Sequence, residues 1–257
     1  MDFESFFGNW SGLPIILITL ILGAAFFTIT FVIASRIDKK FTPYLIMGLT
    51  IGVLMAIMSM NLKVVSIVLN GHIFPLVLSS LFFPVLALST DTLNEFYGVK
   101  YAKALLNGSI ITQAMMFILM FWFVKVPSET LEMHNAFQTT FSMATRGFLA
   151  GAISMYVGVL ANIYIFSYIR KLTKGKKLWV RVFGSTSISL LLDIVIYTSI
   201  LFMGTRKFSD IFQMMFISAL VRLTFSVIEV PFLYILKWLK KKRVFLVDGG
   251  IDELILN

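Results

Sequence analysis

Apolar residues run along this chain in long uninterrupted blocks, without the alternation of a half-buried strand or the one-sided stripe of a surface helix. Uncharged runs extend from Leu13 to Ser35, from Tyr44 to Asn61 and from Ala104 to Val124, and a fourth, from Val182 to Met203, is broken only by Asp193. Each is close to the roughly 20 residues a helix needs to cross a bilayer. Three further spans, Ile73 to Phe96, Thr139 to Tyr168 and Ile211 to Leu236, carry charged or polar groups within them. The pattern predicts an all-α integral membrane protein, a bundle of about seven transmembrane helices. Between the second and third, Val64 to Leu69 is rich in β-branched residues and is followed by Asn70-Gly71, which predicts a short hairpin at the outer face.

The domain organisation is a single transmembrane domain over residues 1–257. The longest loops, near Lys125 to Gln138 and Lys171 to Val180, are far below domain size. The run at 13–35 follows Asp2 and Glu4, not a basic segment, and is too long for the core of a signal peptide. The tail at 244–257 is short and carries no assigned function. No internal repeat is evident.

Composition agrees with the pattern: 58% of residues are hydrophobic and 14% charged. The net charge of +9 would suit nucleic acid, but its placement points to a membrane. With the N-terminus outside, the inner loops and tail hold 16 of the 22 basic residues, among them Arg170, Arg181, Lys237 and the run Lys240 to Arg243. The outer loops hold Lys63, Lys125, Arg206 and Lys207. The positive-inside rule therefore selects N-terminus out and C-terminus in, at the inner (cytoplasmic) membrane, with the basic tail as an anchor against anionic headgroups and no nucleic-acid partner. The chain has no cysteine, so disulfides and thiol chemistry are excluded.

Against this apolar background the buried charges stand out. Asp193 lies 12 residues after Arg181 and 13 before Arg206, which places it near the bilayer midplane, where an Asp costs roughly 2.5 to 3.5 kcal/mol on insertion scales. Ser185, Ser189, Asp193 and Tyr197 recur every four residues and form one polar stripe on the sixth helix. Arg222, Ser226 and Glu229 form another on the seventh, and Asp91 and Glu95 are four apart on the third. Arg146 lies within the fifth. Gly147, Gly151, Ser154, Gly158 and Asn162 make a small-residue seam along that helix, for which packing is a sufficient explanation. Ion pairing that fixes helix register is one reading of the charged set, and a substrate site is the other. Pro84 and Pro231 fall inside the third and seventh spans, where a proline kinks a helix.

The segment Phe83-Pro84, then Ser89-Thr90-Asp91-Thr92-Leu93-Asn94-Glu95-Phe96-Tyr97-Gly98-Val99-Lys100-Tyr101-Ala102-Lys103, resembles the signature of the queuosine precursor transporter family, also called the vitamin uptake transporter family. Further blocks follow in order: Asn61 and Lys63, Arg146, Ile163 to Phe166, Lys174-Gly175, Trp179-x-Arg181, Ser185-Thr186 with Asp193, and Arg222 with Glu229-Val-Pro231-Phe-x-Tyr234. The resemblance covers roughly residues 60–243. It implies a membrane importer of 7-deazaguanine compounds (7-cyano-7-deazaguanine, 7-aminomethyl-7-deazaguanine or queuine) with a core of about six helices at 44–243, leaving 13–35 as an added helix. Two departures bear on substrate. Where the family often has Gln-x-x-Asp, this chain has Val159-Leu-Ala-Asn162, and where it often has Gln-x-x-Asp-Thr, this chain has Leu190-Leu-Leu-Asp193-Ile194.

A guanine-like edge offers two adjacent N–H donors, which a carboxylate accepts together. Asp91, Glu95 or Asp193 could do this, Asn162 and Ser189 could complete the hydrogen bonds, and Tyr97, Phe148 or Tyr197 could stack on the ring. Arg146, Arg222 and Glu229 are candidates for gating or charge pairing, with Arg222 and Glu229 as a pair, in an alternating-access mechanism. The alternatives are an uptake transporter, or a substrate-binding subunit, for another vitamin-like planar heterocycle. No phosphate-cradling GxxxxGK[ST] occurs, so transport would run as facilitated diffusion driven by downstream metabolic trapping, by proton coupling through Glu229 or Asp193, or with a separate ATPase partner. A homodimer is also open. With only His72 and His134, both expected in outer loops, no catalytic or metal constellation is found and no cofactor is implied.

Overall fold

A computed structural model of the chain describes residues 12–37, 40–60, 64–69, 72–77, 83–204 and 206–242. In chain order these form α1 (Gly12–Ile37), α2 (Thr42–Met60), strands β1 (Val64–Leu69) and β2 (His72–Val77), then α3 (Phe83–Phe96), α4 (Val99–Phe123), α5 (Leu131–Leu172), α6 (Leu178–Phe202) and α7 (Phe208–Lys241). Four of them, α4, α5, α6 and α7, are long and apolar enough to cross a membrane, and α1 and α2 contain shorter apolar stretches. Large apolar side chains such as Phe26, Ile118, Leu192 and Phe216 face outward. Such faces suit a lipid environment, where an apolar exterior carries no penalty.

The expected span from Ile73 to Phe96 is corrected. Its first part is β2, paired antiparallel to β1 from Val64↔Val77 to Leu69↔His72, and its second part is the separate helix α3. The hairpin expected after Val64 is thus present, and the two residues between its strands are Asn70-Gly71, a dipeptide that two-residue hairpin turns favour. At 14 residues, α3 is about 21 Å long and falls short of a hydrocarbon core of about 30 Å. Pro84 is accordingly not a kink in a long helix. It sits in the first turn of α3, where its missing N–H has no intrahelical partner to lose. Pro231 does lie inside a helix, the 34-residue α7.

The fifth helix begins earlier than its apolar run suggests. Thr130 caps it by accepting a hydrogen bond from the Met133 backbone N–H at 3.3 Å, and the helix then runs for 42 residues. His134 is therefore in its first turn, and His72 opens β2; neither lies in a loop as expected. The tail at 244–257, Asn61, Lys63 and the side chain of Arg146 lie outside the described residues.

Helix α3 is the axis of the bundle. Every residue from Leu86 to Tyr97 is buried, and α1, α2, α4, α5 and α7 all pack against it. A helix enclosed on all sides ordinarily is apolar all round. This one buries Ser89, Thr90, Asp91, Thr92, Asn94 and Glu95 among Leu86, Leu88, Leu93 and Phe96. Gly98 ends it with φ 94, a backbone value that glycine reaches without strain, and so lets the chain reverse directly into α4.

Candidate functional site

Asp91, Asn94 and Glu95 of α3 find partners on α5, α6 and α7, and this joins the scattered sequence candidates into one buried network. The Asn162 Nδ2 of α5 donates to Asp91 Oδ1 at 2.5 Å. The Thr186 hydroxyl of α6 lies 3.3 Å from Asp91 Oδ2 and 3.4 Å from Glu229 Oε2 of α7. Asp91 and Glu229 both have zero exposure. On α2, Thr50 donates to Ser89 at 2.9 Å, and on α5 the Ile163 carbonyl accepts from Asn94 Nδ2 at 3.3 Å.

One turn along α3, Glu95 gathers cations from three helices. Arg181 of α6 donates to its Oε1 at 2.6 Å, and Lys237 of α7 and Arg170 of α5 approach to 3.7 Å. Arg181 is fully buried, with its guanidinium 5.5 Å from the centre of the Phe166 ring. Its hydrogen bond to Glu95 offsets part of the cost of removing both charges from water. Sequence reading placed Arg181 in an inner loop and missed this role. The signal was available, because the stripe Ser185, Ser189, Asp193 extended four residues back lands on Arg181. Thr186, the hydroxyl between two carboxylates, was seen only within a family block.

Arg222 was expected to pair with Glu229 on its own helix, and it does not. Its Nη1 donates to Asp193 Oδ2 of α6, in a contact shielded from the surroundings on both sides. Residues seven apart on a helix share a face but lie about 10 Å apart, beyond ion-pair reach, whereas the neighbouring helix presents Asp193 directly.

Beside this network a narrow cleft, partly open to the surroundings and with about 20 Å³ of room for the centre of a water-sized sphere, lies between α3, α5 and α6. Asn162, Ser189, Asp193 and Thr90 supply its polar lining, and Met155, Val159 and Leu190 are among its apolar walls. Gly158 makes the close approach of α5 to α6 possible: a Cβ there would sit 3.1 Å from both the Asp193 Cβ and the Ser189 carbonyl oxygen. The seam on α5 is therefore a packing surface that also shapes the cleft. Asn162 Oδ1 and Asp193 Oδ1 are buried without a hydrogen-bond partner among the described residues, and so is the Tyr197 hydroxyl, one turn from Asp193. Such orphans are rare in native interiors, and two acceptors lining one cleft are what a ligand with N–H donors would satisfy.

The structure thus brings Asp91, Asn162, Ser189, Asp193, Arg222 and Glu229 together. It places three other candidates elsewhere. Glu95 is engaged by its three cations. Tyr97 packs against Tyr101 at the α3–α4 turn in a tilted contact with ring centres 5.7 Å apart, and Phe148 packs edge-on against Phe117 at 6.3 Å in a separate apolar cluster.

Residues 77–236 match the family described as "Putative vitamin uptake transporter". A relative from Bacillus subtilis (strain 168), named "Probable queuosine precursor transporter", is 29% identical over 217 residues, which cover 82% of this chain and 92% of the relative. No solved structure matches the chain. The family match takes in α3 to α7 almost entirely, including Asp91, Glu95, Asn162, Arg181, Thr186, Asp193, Arg222 and Glu229 and the walls of the cleft. The chain is a multi-pass membrane protein and belongs to the vitamin uptake transporter family.

Proposed function

We propose that this protein imports queuosine precursors, namely 7-cyano-7-deazaguanine, 7-aminomethyl-7-deazaguanine or queuine, across the inner membrane by alternating access. The observation that carries the reading is the pair of unpartnered acceptors, Asn162 Oδ1 and Asp193 Oδ1, in one cleft deep in the bundle. A deazaguanine presents its ring N–H and exocyclic amine on one edge, and these two donors match two acceptors. The name of the Bacillus subtilis relative supports the same substrate class.

In this reading Asp193 binds the substrate edge, Asn162 and Ser189 fix its orientation, and Tyr197 closes on the ring from the same stripe. Arg222 holds Asp193 until substrate competes for the carboxylate. The Glu95 cluster, at the end that charge placement assigns to the cytoplasm, is the inner closure: α5, α6 and α7 each contribute one cation to it and must part from α3 for release. The cleft is narrow, so the bound state requires these helices to separate.

Counterflow tests the proposal. Proteoliposomes loaded with unlabelled 7-cyano-7-deazaguanine and diluted into the labelled compound should show transient accumulation of label that empty vesicles lack. The reading is wrong if none of the three 7-deazaguanines gives counterflow. Counterflow of a water-soluble vitamin instead would transfer the site to another planar heterocycle.

A further inference from the structure

Counting charges across the buried network leaves one group unexplained. Glu95 has Arg181, Arg170 and Lys237, and Asp193 has Arg222. Asp91 and Glu229 face each other across a single threonine hydroxyl, and no lysine or arginine forms a salt bridge with either among the described residues. Two fully buried carboxylates without a counter-cation are a costly arrangement in a low-dielectric interior.

Hydrogen-bond counting reaches the same point independently. Thr186 has one hydroxyl hydrogen and two carboxylate oxygens within 3.4 Å, so it can donate to only one of them. Glu229 Oε1 has no hydrogen-bond partner among the described residues. Asn162, 3% exposed, donates an amide N–H to Asp91 Oδ1, and its amide oxygen has no partner among the described residues. The four side chains therefore present oxygen acceptors in excess of hydrogens, all of the hard type that binds a proton or a small alkali cation.

Resting on the importer reading above, we infer that Asp91, Glu229, Thr186 and Asn162 form the binding site for a monovalent coupling cation, a proton or a sodium ion, whose occupancy is tied to substrate binding. With a proton, Glu229 donates to Thr186 Oγ1, which donates to Asp91 Oδ2, and each hydrogen has one acceptor. With sodium, the oxygens of Asp91, Glu229 and Thr186 supply ligands directly, and Asn162 orients the Asp91 carboxylate. The link to substrate is Asn162, whose amide touches Asp91 on one side and lines the cleft on the other.

Other charged groups stand on every surrounding helix among the described residues. Glu95, with Arg181 at its carboxylate, is one turn away on α3. Asp193 and Arg222 lie two turns along α6 and α7, Arg170 stands on α5, and Lys237 on α7 reaches Glu95. From α4 come Lys100, Tyr101 and Lys103 at its first turns, α2 has no charged residue, and α1 carries only Arg36 in its last turn.

The test needs no substrate at first. Infrared spectra of the purified protein at neutral pH report a protonated carboxyl through its C=O stretch, and thermal unfolding in sodium against potassium chloride at equal ionic strength reports a sodium site. The inference expects one of these signals in the unaltered protein. Glu229→Gln should abolish it, and Thr186→Val, serving if the first variant does not fold, should abolish the sodium effect or shift the frequency of the carboxyl C=O band. The absence of both signals, or their unchanged persistence in both variants, overturns it. In proteoliposomes, the unaltered protein should then accumulate 7-cyano-7-deazaguanine above equilibrium under the matching gradient, pH or sodium, and Glu229→Gln should not. Vesicles that take up no precursor under any condition refute the importer reading, while the infrared and unfolding signals still decide the cation site.

Discussion

Glu95 is held by three cations of unequal worth. The Arg181 side chain is 1% exposed and 2.6 Å away, whereas that of Lys237 is 48% exposed and 3.7 Å away. Removing one partner of a buried pair leaves the other charge uncompensated and costs about 3 kcal/mol, while an exposed ion pair contributes about 1 kcal/mol or less. Arg181→Met should therefore lower the unfolding temperature in detergent markedly, and Lys237→Met should leave it nearly unchanged. Equal effects from the two would show that the pairing is a surface feature. At this scale the sequence was informative where a polar side chain interrupts an apolar run: Asp91, Asn162, Asp193 and Glu229 were visible for that reason. Arg181 was hidden because it stands beside a basic loop, where an arginine ordinarily anchors topology. The partner of Arg222 was hidden because helix-to-helix proximity is not written in the spacing of one helix.

Gly158 shows what the elements require of each other. A Cβ at this position meets a backbone carbonyl at 3.1 Å, which cannot rotate away, so α5 must move off α6 at the wall of the cleft. Gly158→Ala should destabilise the protein by about 1 to 3 kcal/mol through overpacking. Gly48→Ala on α2, where nothing lies within 4 Å, should be neutral or stabilising because alanine favours the helix. Thermal unfolding of the two variants side by side checks this, and equal stability would remove the close approach from the account. The seam containing Gly158 was legible from its four-residue spacing, and so was the hairpin from its β-branched run and Asn-Gly. The division of the third span was not. An apolar run has the same pattern whether it forms a buried strand or a buried helix, and Pro75 argues against the strand that β2 forms. The positions where the family often carries glutamine, Val159 and Leu190, both fall on walls of the cleft. This chain therefore offers a more apolar site than that pattern implies.

For the whole molecule, orientation is the property that charge placement addresses and helix packing does not. The chain has no cysteine, so single cysteines introduced into it label without background. With the N-terminus outside, Lys174→Cys at the α5–α6 turn should react with a membrane-impermeant maleimide only after the inner face is exposed, and Lys125→Cys after α4 should react from outside. The reverse pattern would invert the proposed import geometry and exchange the roles given to the two ends of the bundle.

Ligand-induced stabilisation tests the central claim, that the cleft beside α3 binds a deazaguanine through Asp193 and Asn162, most directly. A ligand present at about 100 times its dissociation constant stabilises the protein by about 2.7 kcal/mol, which thermal unfolding resolves. Against a panel of 7-cyano-7-deazaguanine, 7-aminomethyl-7-deazaguanine, queuine, guanine and water-soluble vitamins, the account predicts stabilisation by at least one 7-deazaguanine, lost in both Asp193→Asn and Asn162→Ala. Stabilisation by a vitamin alone, or a deazaguanine effect that survives both substitutions, would contradict it.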